Sequence, residues 1–331
     1  MLRIFSILAC TTVLYTSCSL KGSTGNGQVE ATEDISTTTP DFIADSAYQY
    51  IADQVSFGPR VPNTKAHLEC SEYIASKLES FGAKVTIQEA EVSAFDGTRL
   101  KIRNIIGEFQ PEKSSRVMLF AHWDSRPFAD HDPDPTKRDI PIEGANDGAS
   151  GVGVLLEIAR HLAAYPTNPG IDIILFDAED YGQPDHRSLP YQPDSWCLGS
   201  QYWGKNPHKK NYYARFGVLL DMVGAKNALF YREQYSEQTA LRWVDRIWNI
   251  ARDLGYGSTF VFGKGGMITD DHVYVNRLRG FPCVDIIQYD PTSRTGFGAY
   301  WHTHDDTMDN IDRNTLKAVG QTVMELIYRE K

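Results

Sequence analysis

The stretch Ile171-Asp-Ile-Ile-Leu-Phe-Asp-Ala-Glu-Asp180 joins a strand signal to a cluster of acids. Its first six residues are almost wholly apolar and mostly β-branched, which predicts a strand buried on both faces of a sheet. Three carboxylates follow at Asp177, Glu179 and Asp180. Because clustered like charges resist burial, this end of the strand must meet either solvent or a metal ion. Taken alone, the stretch allows a solvated acidic loop equally well.

The same pattern, in which an apolar strand ends at His or carboxylate, recurs along the chain. Predicted strands at 116–121 and 216–220 run directly into His122 and Asp221. A single such residue would be interpreted as a helix cap or a core histidine, but their repetition at strand ends indicates a site, since open α/β sheets bind ligands there. The acids and imidazoles concerned are His122, Asp147, Glu179, Asp180, Asp221 and His302.

Predicted strands alternate with amphipathic helices, which run over 41–54, 64–81, 237–254 and 314–329, with a further helix after Gly151. This alternation predicts a single α/β domain, with a mixed, mostly parallel central sheet flanked by helices. The polar loops 126–143 and 181–195 are expected to shape the rim of the site.

The composition excludes some classes of partner. Hydrophobic residues make up 41% of the 331-residue chain and charged residues 23%, as in ordinary globular proteins. The formal net charge of -10 argues against nucleic acid or an anionic membrane surface as the main partner.

The N-terminus has the features of an export signal. Arg3 precedes an apolar run, 4–15, that is too short to span a bilayer, and Tyr15-Thr-Ser-Cys18 resembles a bacterial lipobox. We therefore expect a signal peptide at 1–17, a lipid-bearing Cys18, a flexible tether over 18–40 and a catalytic domain over 41–331. The predicted location is the bacterial periplasm or cell envelope, anchored through Cys18, with a plain secretory signal as the alternative.

Of the five cysteines, Cys10 lies in the apolar run and Cys18 is the predicted lipid anchor, which leaves Cys70, Cys197 and Cys283. They are widely spaced and odd in number, so one disulfide is possible, but buried free thiols are expected.

The ligand types indicate a metal. Oxygen and imidazole donors without cysteine suit zinc in an open catalytic site, with three protein ligands and one exchangeable position. The adjacent acids Glu179 and Asp180 cannot easily bind one ion together, so one is expected to hold the metal while the other acts as a general base.

Together these motifs resemble the zinc aminopeptidase-like exopeptidase family. The resemblance extends from about residue 41 to the C-terminus. It rests on Gly58-Pro-Arg-Val-Pro62, His122-x-Asp124-Ser125, Asn146-Asp-Gly-Ala149, Glu179-Asp180, Leu220-Asp-Met-Val-Gly224 and His302-Thr303.

Two branches of that family imply different chemistry. The dinuclear aminopeptidases imply one zinc at His122, Asp147 and Asp221, a second at Asp147, Asp180 and His302, and Glu179 activating a water. The animal-type glutaminyl cyclases imply a single zinc at Asp147, Asp180 and His302, with Glu179 moving protons and with Asp221 and Asp270 completing a hydrogen-bonded network. In that case His122 is a residue beside the metal rather than a ligand.

Three features favour the cyclase: Asp270-Asp271-His272, Trp301 directly before His302, and the run His302–Asp306. One feature departs from the family pattern, because Asp180 stands where Glu is usual and is one methylene shorter. The resemblance implies a zinc-dependent glutaminyl-peptide cyclotransferase, an aminoacyltransferase that converts the N-terminal Gln of peptides or proteins to pyroglutamate and releases ammonia.

The roles of the remaining tryptophans and histidines are taken from the same resemblance or, where it implies none, are expected to be structural. Trp301 is expected to wall the substrate pocket, whereas Trp123 and Trp196 are expected to pack. His272 is expected to be structural, and His304 to lie near the metal ligands or at the surface. A dinuclear aminopeptidase is the alternative function, and a silent peptide-binding relative is a third, disfavoured by the intact set of acids.

Overall fold

Residues Gly170–Phe176 form a central strand of a six-stranded sheet in this computed structural model, which describes residues 38–331. The predicted signal peptide, Cys18 and nearly all of the predicted tether lie outside the described residues. The strands are β1 Lys84–Ser93, β2 Arg99–Phe109, β3 Arg116–His122, β4 Gly170–Phe176, β5 Gly217–Asp221, β6 Phe230–Arg232, β7 Phe260–Lys264 and β8 Cys283–Ile287.

The main sheet has the order β1-β2-β4-β3-β5-β8. Strands β4, β3, β5 and β8 are mutually parallel, while the β1–β2 hairpin joins antiparallel at one side. The predicted mixed, mostly parallel sheet is therefore confirmed. A separate two-stranded sheet pairs β6 with β7, and β6 had not been predicted from the sequence.

The helices cover both faces of the main sheet. They are α1 Ala44–Val55, α2 Lys65–Ser80, α3 Ala149–Ala164, α4 Leu198–Lys205, α5 Gln234–Asp253, α6 Asp271–Arg279 and α7 Arg313–Tyr328. Helices α1, α3, α5 and α7 contribute to one large apolar core, while α4 and α6 cover the other face. Two short 3₁₀ helices, Pro135–Lys137 and Met308–Asn310, lie in the connecting loops.

Strand β4 is buried on both faces, as its apolar sequence predicts. Ile173 and Leu175 join the core beneath α3, whereas Ile174 and Phe176 join the core beneath α4 and α6. Burial of each such side chain stabilises the fold by roughly 1.5–3 kcal/mol. The alternation fixes the register of β4, and with it the direction in which the acids after Phe176 emerge.

A close contact at Gly151 brings α3 against β5. A Cβ atom at Gly151 would lie 2.1 Å from the carbonyl oxygen of Leu220, so only glycine allows this approach. The start of α3, with Asp147 just before it, is thereby held beside Asp221 at the end of β5.

The expectation of buried free thiols is met in the described part of the chain. Cys70, Cys197 and Cys283 are buried free thiols. Within residues 38–331, none of the helices combines the length and the apolar character needed to span a bilayer.

Candidate active site

The residues predicted to form the site meet at the carboxyl end of the parallel strands. His122 ends β3, Asp221 ends β5, and Glu179 and Asp180 follow β4. Two groups of side chains each offer ligand atoms within 4.8 Å of one another: Asp147, Asp180 and His302 form one, and His122, Asp147 and Asp221 form the other. The two groups together contain five of the six predicted residues, and the sixth, Glu179, lines the same groove as Asp147, Asp180, Asp221 and His302.

Asp147 lies between the two histidines. His302 Nε2 is 3.6 Å from Asp147 Oδ2 and 3.4 Å from Asp180 Oδ1. On the other side, His122 Nε2 is 3.0 Å from Asp147 Oδ1 and 3.1 Å from Asp221 Oδ1. This geometry contains both ligand sets that the two branches of the family require.

The carboxylates shift one another's ionisation. Burial, together with the nearby charge of Asp180, raises the pKa of Asp147 to about 6. Burial also raises the pKa of Glu179 and of Asp270 well above the ordinary range, and neighbouring acids add to both shifts. So many acids in one buried place favour either bound protons or a bound cation.

The donor set fits zinc. Carboxylate oxygens and imidazole nitrogens surround Asp147, and Asp180 Oδ2 is buried without a hydrogen-bond partner among the described residues. These are the hard and borderline donors that zinc binds in catalytic sites. Asp147, Asp180 and His302 are thus suited to hold one ion.

Behind His302 lies an ion pair that sequence reasoning missed. Asp130 Oδ1 is 3.2 Å from His302 Nδ1, and Arg126 donates hydrogen bonds from Nε and Nη2 to the two oxygens of Asp130 at 2.7 Å each. Burial alone would raise the pKa of Asp130, but the hydrogen bonds from Arg126 and the close contact with His302 bring it well below its usual range. A carboxylate in this position fixes the ring orientation of a metal-binding histidine.

The loop 126–143 was predicted to shape the rim of the site, but it lies behind the predicted metal ligands instead. Arg126 is fully buried, and its Nη1 also donates to the carbonyl oxygen of Asp180 at 2.8 Å. No residue of this loop lines the groove described below. It supports the site from beneath, whereas Tyr191 and Pro193 of the loop 181–195 do form part of the rim, as expected.

Two further buried carboxylates hold the backbone of the site. Asp124 accepts hydrogen bonds from the amides of Glu179 at 3.1 Å and Asp180 at 3.2 Å. Asp306 accepts from the amides of Asn146 at 2.8 Å and Asp147 at 3.1 Å, and burial raises its pKa to about 7. Each acid therefore fixes a turn that carries predicted ligands.

Left-handed backbone is concentrated around the site. A non-glycine residue with positive φ costs about 1–3 kcal/mol and persists only where its surroundings hold it. Four such residues adjoin or belong to the predicted site: Ala178 at φ 51°, Cys197 at 57°, Met222 at 48° and His302 at 54°. The surrounding fold holds the loops that carry Glu179, Asp221 and His302 in these conformations.

Two indoles stand beside His302 in a groove of about 510 Å³. The Trp301 ring stacks on His302, with 3.6 Å between centroids. The Trp196 ring lies nearly parallel to His302 at 5.9 Å, and the Arg126 guanidinium carbon lies 4.4 Å from the Trp196 centroid. Both indoles line the groove.

The expectation that Trp196 merely packs was therefore wrong. A Cβ atom at position 182 would lie 2.0 Å from the Trp196 ring, so the indole packs closely on the backbone of Gly182, and Trp196 also lines the groove. Trp123, by contrast, is fully buried and stacks on His67 at 4.5 Å, which confirms packing.

The floor of the groove contains Glu179, Asp221 and Asp270, together with the predicted ligands. Its outer part is more apolar, with Met267, Ile268 and Phe297. A volume of this size is in the range of small-molecule and peptide-terminus pockets.

His272 and His304, the other two histidines considered in the sequence, lie apart from the ligand atoms. His272 is buried between Glu233 at 3.3 Å and Asp285 at 3.6 Å, in agreement with a structural role. His304 Nδ1 is 2.8 Å from Asp132 Oδ2 and is partly exposed.

Several known proteins are similar to this chain in sequence and fold. Residues 104–327 match Peptidase family M28. A Zn-dependent exopeptidase from Parabacteroides distasonis is 61% identical, with a TM-score of 0.88 over 88% of this chain and 100% of that one. The glutaminyl cyclase of Tannerella forsythia is 59% identical, with a TM-score of 0.87 and the same coverage. That of Bacteroides thetaiotaomicron, solved with N-acetylhistamine bound, is 56% identical, with a TM-score of 0.87 over 89% of this chain and 100% of that one.

Curated relatives are more distant. Aminopeptidase YwaD of Bacillus subtilis is 26% identical over 280 residues, which cover 82% of this chain but only 54% of that protein. The glutaminyl-peptide cyclotransferase of Bothrops jararaca is 26% identical over 304 residues, which cover 81% of this chain and 76% of that protein. The chain therefore belongs to peptidase family M28 and, within it, to the group that includes the bacterial glutaminyl cyclases.

Proposed function

We propose that this protein is a zinc-dependent glutaminyl-peptide cyclotransferase, which converts the N-terminal Gln of peptides or proteins to pyroglutamate and releases ammonia. The observation that carries the proposal is one groove in which Glu179, Asp221 and Asp270 lie beside two indoles and the ligand triad. The high identity to two glutaminyl cyclases over their full length supports the same reaction.

We assign one zinc ion to Asp147, Asp180 and His302. When bound, zinc supplies Lewis-acid polarisation of the carbonyl of the substrate's side-chain amide. Asp180 is shorter than the usual glutamate, and its main-chain carbonyl is held by Arg126, with the guanidinium 3.6 Å from Asp180 Oδ1. This support from beneath fixes the shorter side chain at the site.

Glu179 is the proton carrier. The α-amine of the substrate attacks the side-chain carbonyl carbon, so that a new C–N bond forms while the bond to the amide nitrogen breaks. Glu179 takes the proton from the attacking amine and delivers it to the departing ammonia. The raised pKa of Glu179, caused chiefly by burial, suits this exchange, because a carboxylate with a raised pKa is a better proton acceptor for the attacking amine.

Asp221 and Asp270 form the acidic surroundings of Glu179. Both are almost completely buried and line the same groove, and burial raises the pKa of Asp270 as it raises that of Glu179. Trp301 and Trp196 confine the glutamine side chain between flat walls. Holding amine and carbonyl together contributes the largest part of the acceleration, because the ring closure then becomes a unimolecular step.

A dinuclear aminopeptidase is the second candidate. The observation that favours it is the group His122, Asp147 and Asp221, which could hold another ion. Metal content separates the two functions: we expect one zinc per chain for the cyclase and two for the aminopeptidase.

The direct test is to incubate the protein with a Gln-initiated peptide and identify the product by mass spectrometry. Loss of one ammonia with the peptide otherwise intact supports cyclisation, whereas release of free Gln would establish hydrolysis. Glu179→Gln should lower kcat by at least about 100-fold. The control Glu143→Gln changes an exposed glutamate and should leave kcat unchanged.

We further propose that the protein is an exported lipoprotein attached to the bacterial cell envelope through Cys18. The support is the sequence alone, with its short apolar run before Tyr15-Thr-Ser-Cys18. In a bacterial host, the full chain should incorporate a radiolabelled fatty acid and sediment with membranes. Cys18→Ala should lose both properties, and an unlabelled wild-type protein would contradict the proposal.

A further inference from the structure

Glu179 has a hydrogen-bond donor that neither the sequence motifs nor the proposed mechanism uses. The thiol of Cys197 lies 3.1 Å from Glu179 Oε1, with sulfur as the donor. Cys197 is completely buried. It thus contacts the carboxylate from inside the protein, while Glu179 lines the groove.

The backbone holds this thiol in place. The amide of Cys197 donates to the carbonyl oxygen of Glu179 at 2.9 Å, and the amide of Leu198 donates to that of Ala178 at 3.0 Å. A Cβ atom at Gly199 would lie 2.2 Å from the carbonyl oxygen of Asp177, so the start of α4 is tightly packed on the acidic loop. Cys197 itself has the left-handed conformation noted above, which requires support from its neighbours.

The other two buried thiols have different surroundings. Cys70 lies in the apolar core packed against α2, and Cys283 Sγ lies 3.7 Å from the carbonyl oxygen of Phe281. A buried cysteine usually behaves as a small apolar side chain. Cys197 differs because its sulfur faces a carboxylate, and burial together with the acids around it raises its pKa well above the ordinary value. The sulfur therefore keeps its proton and remains a donor.

We propose that Cys197 is a positioning residue for Glu179, whose thiol holds one carboxylate oxygen so that the other is presented to the substrate's amine. The inference rests on the proposed cyclase function. A carboxylate on a flexible side chain rotates about its last bond, and a donor on Oε1 removes that freedom. A thiol is a weak donor, so the contact orients Glu179 without immobilising its proton.

The kinetic test compares two substitutions. Cys197→Ala should lower kcat for a Gln-initiated peptide by about fivefold with little change in KM, the effect of losing one modest hydrogen bond. Cys197→Ser keeps a donor and should retain most of kcat. A packing role predicts the opposite order, because serine places an unneeded hydroxyl in a buried site. An Ala variant as active as wild type, or more active than the Ser variant, would overturn the proposal.

The matched control uses Cys283, which is equally buried but contacts no carboxylate. Both Cys283→Ala and Cys283→Ser should leave kcat unchanged, although either can lower the melting temperature. If these variants reduce kcat as much as the Cys197 variants do, the loss reflects general destabilisation and the positioning role is wrong.

A second readout does not depend on turnover. The Raman S–H stretching band that disappears in Cys197→Ala belongs to the Cys197 thiol. Glu179→Ala removes the hydrogen-bond acceptor of that thiol, so it should shift the band to higher frequency. An unshifted band would refute the contact. If wild-type protein fails to cyclise the peptide while the band shifts, the proposed function fails and the hydrogen bond stands, so the two failures are distinguishable.

Discussion

Replacing Asp130 with Asn should weaken zinc binding, although Asp130 is not a predicted ligand. One of its carboxylate oxygens lies 3.2 Å from His302 Nδ1, and both accept hydrogen bonds from Arg126 at 2.7 Å. Asn has nearly the same volume, so the substitution removes the charge without opening a cavity. His302 loses the partner that fixes its ring, and Arg126 loses its counter-ion.

The two losses have separate magnitudes. Removal of the partner of a metal-binding histidine typically costs 10–100-fold in metal affinity, or roughly 1.4–2.8 kcal/mol. Breaking a buried ion pair costs about 3–5 kcal/mol of stability. We expect the lower end, about 3 kcal/mol, because Arg126 retains its hydrogen bond to the carbonyl of Asp180.

The stability loss should depend on pH. The pKa of Asp130 is lowered in the folded protein, so its ion pair stabilises the fold above the pKa of the unfolded chain, near 4. That contribution is lost as pH falls through the lower, folded-state pKa. The difference in the free energy of unfolding between wild type and Asp130→Asn should therefore be largest near pH 7 and shrink in acid.

Zinc affinity is measured by competition with a chromogenic chelator, and stability by calorimetry of the chelator-treated proteins. Asp132→Asn is a matched control, because Asp132 makes a similar contact, 2.8 Å to His304 Nδ1, away from the predicted ligands. It should leave zinc affinity unchanged. If Asp130→Asn binds zinc as tightly as wild type does, the orienting role is refuted. If Asp132→Asn loses as much zinc affinity as Asp130→Asn, the effect belongs to the loop as a whole.

Three further outcomes are expected. Trp196→Ala should raise KM for Gln-initiated peptides by about tenfold, because one aromatic wall of the groove is lost. Gly182→Ala should raise KM similarly, because its Cβ would displace the indole. Unchanged KM in steady-state kinetics of both variants would show that Trp196 does not contact the substrate. Burial raises the pKa of Asp271 to about 7 in the folded protein. As pH rises from about 4 to about 7, chelator-treated wild type should therefore lose about 4 kcal/mol of unfolding free energy that Asp271→Asn retains. If the unfolding free energies of the two proteins change in parallel over that range, the shift is contradicted. Zinc at a hundredfold excess over its Kd should stabilise the chelated protein by about 2.7 kcal/mol, and a melting temperature independent of zinc would argue against the metal site.

The central sheet could be predicted because its signals are local. The stretch from Ile171 to Phe176 is almost wholly apolar, so its burial on two faces could be predicted without knowledge of its neighbours. The convergence of the site could also be predicted, since parallel strands present their carboxyl ends at one edge. Zinc chemistry followed from the types of side chain found there.

The supports of the site could not be predicted in the same way. Arg126 lies in a polar, proline-rich loop, and its burial depends on Asp180, which is distant in sequence. Trp196 faces the groove because Gly182 leaves room for its ring, a relation that no periodicity encodes. Strand β6 is only three residues long and pairs with β7 from beyond helix α5, so no local pattern marks it.

The position of His302, after the last strand and just ahead of α7, has a consequence for biosynthesis. A nascent chain that has not yet released this segment from the ribosome contains the proposed ligands Asp147 and Asp180 but lacks His302, so the proposed zinc site is incomplete. Loading of that site therefore follows synthesis of nearly the whole polypeptide. A chain terminated before residue 302 would lack both His302 and helix α7, which closes the core against α1 and α3. Cellular quality control would therefore recognise it as an incomplete fold rather than as a metal-free enzyme.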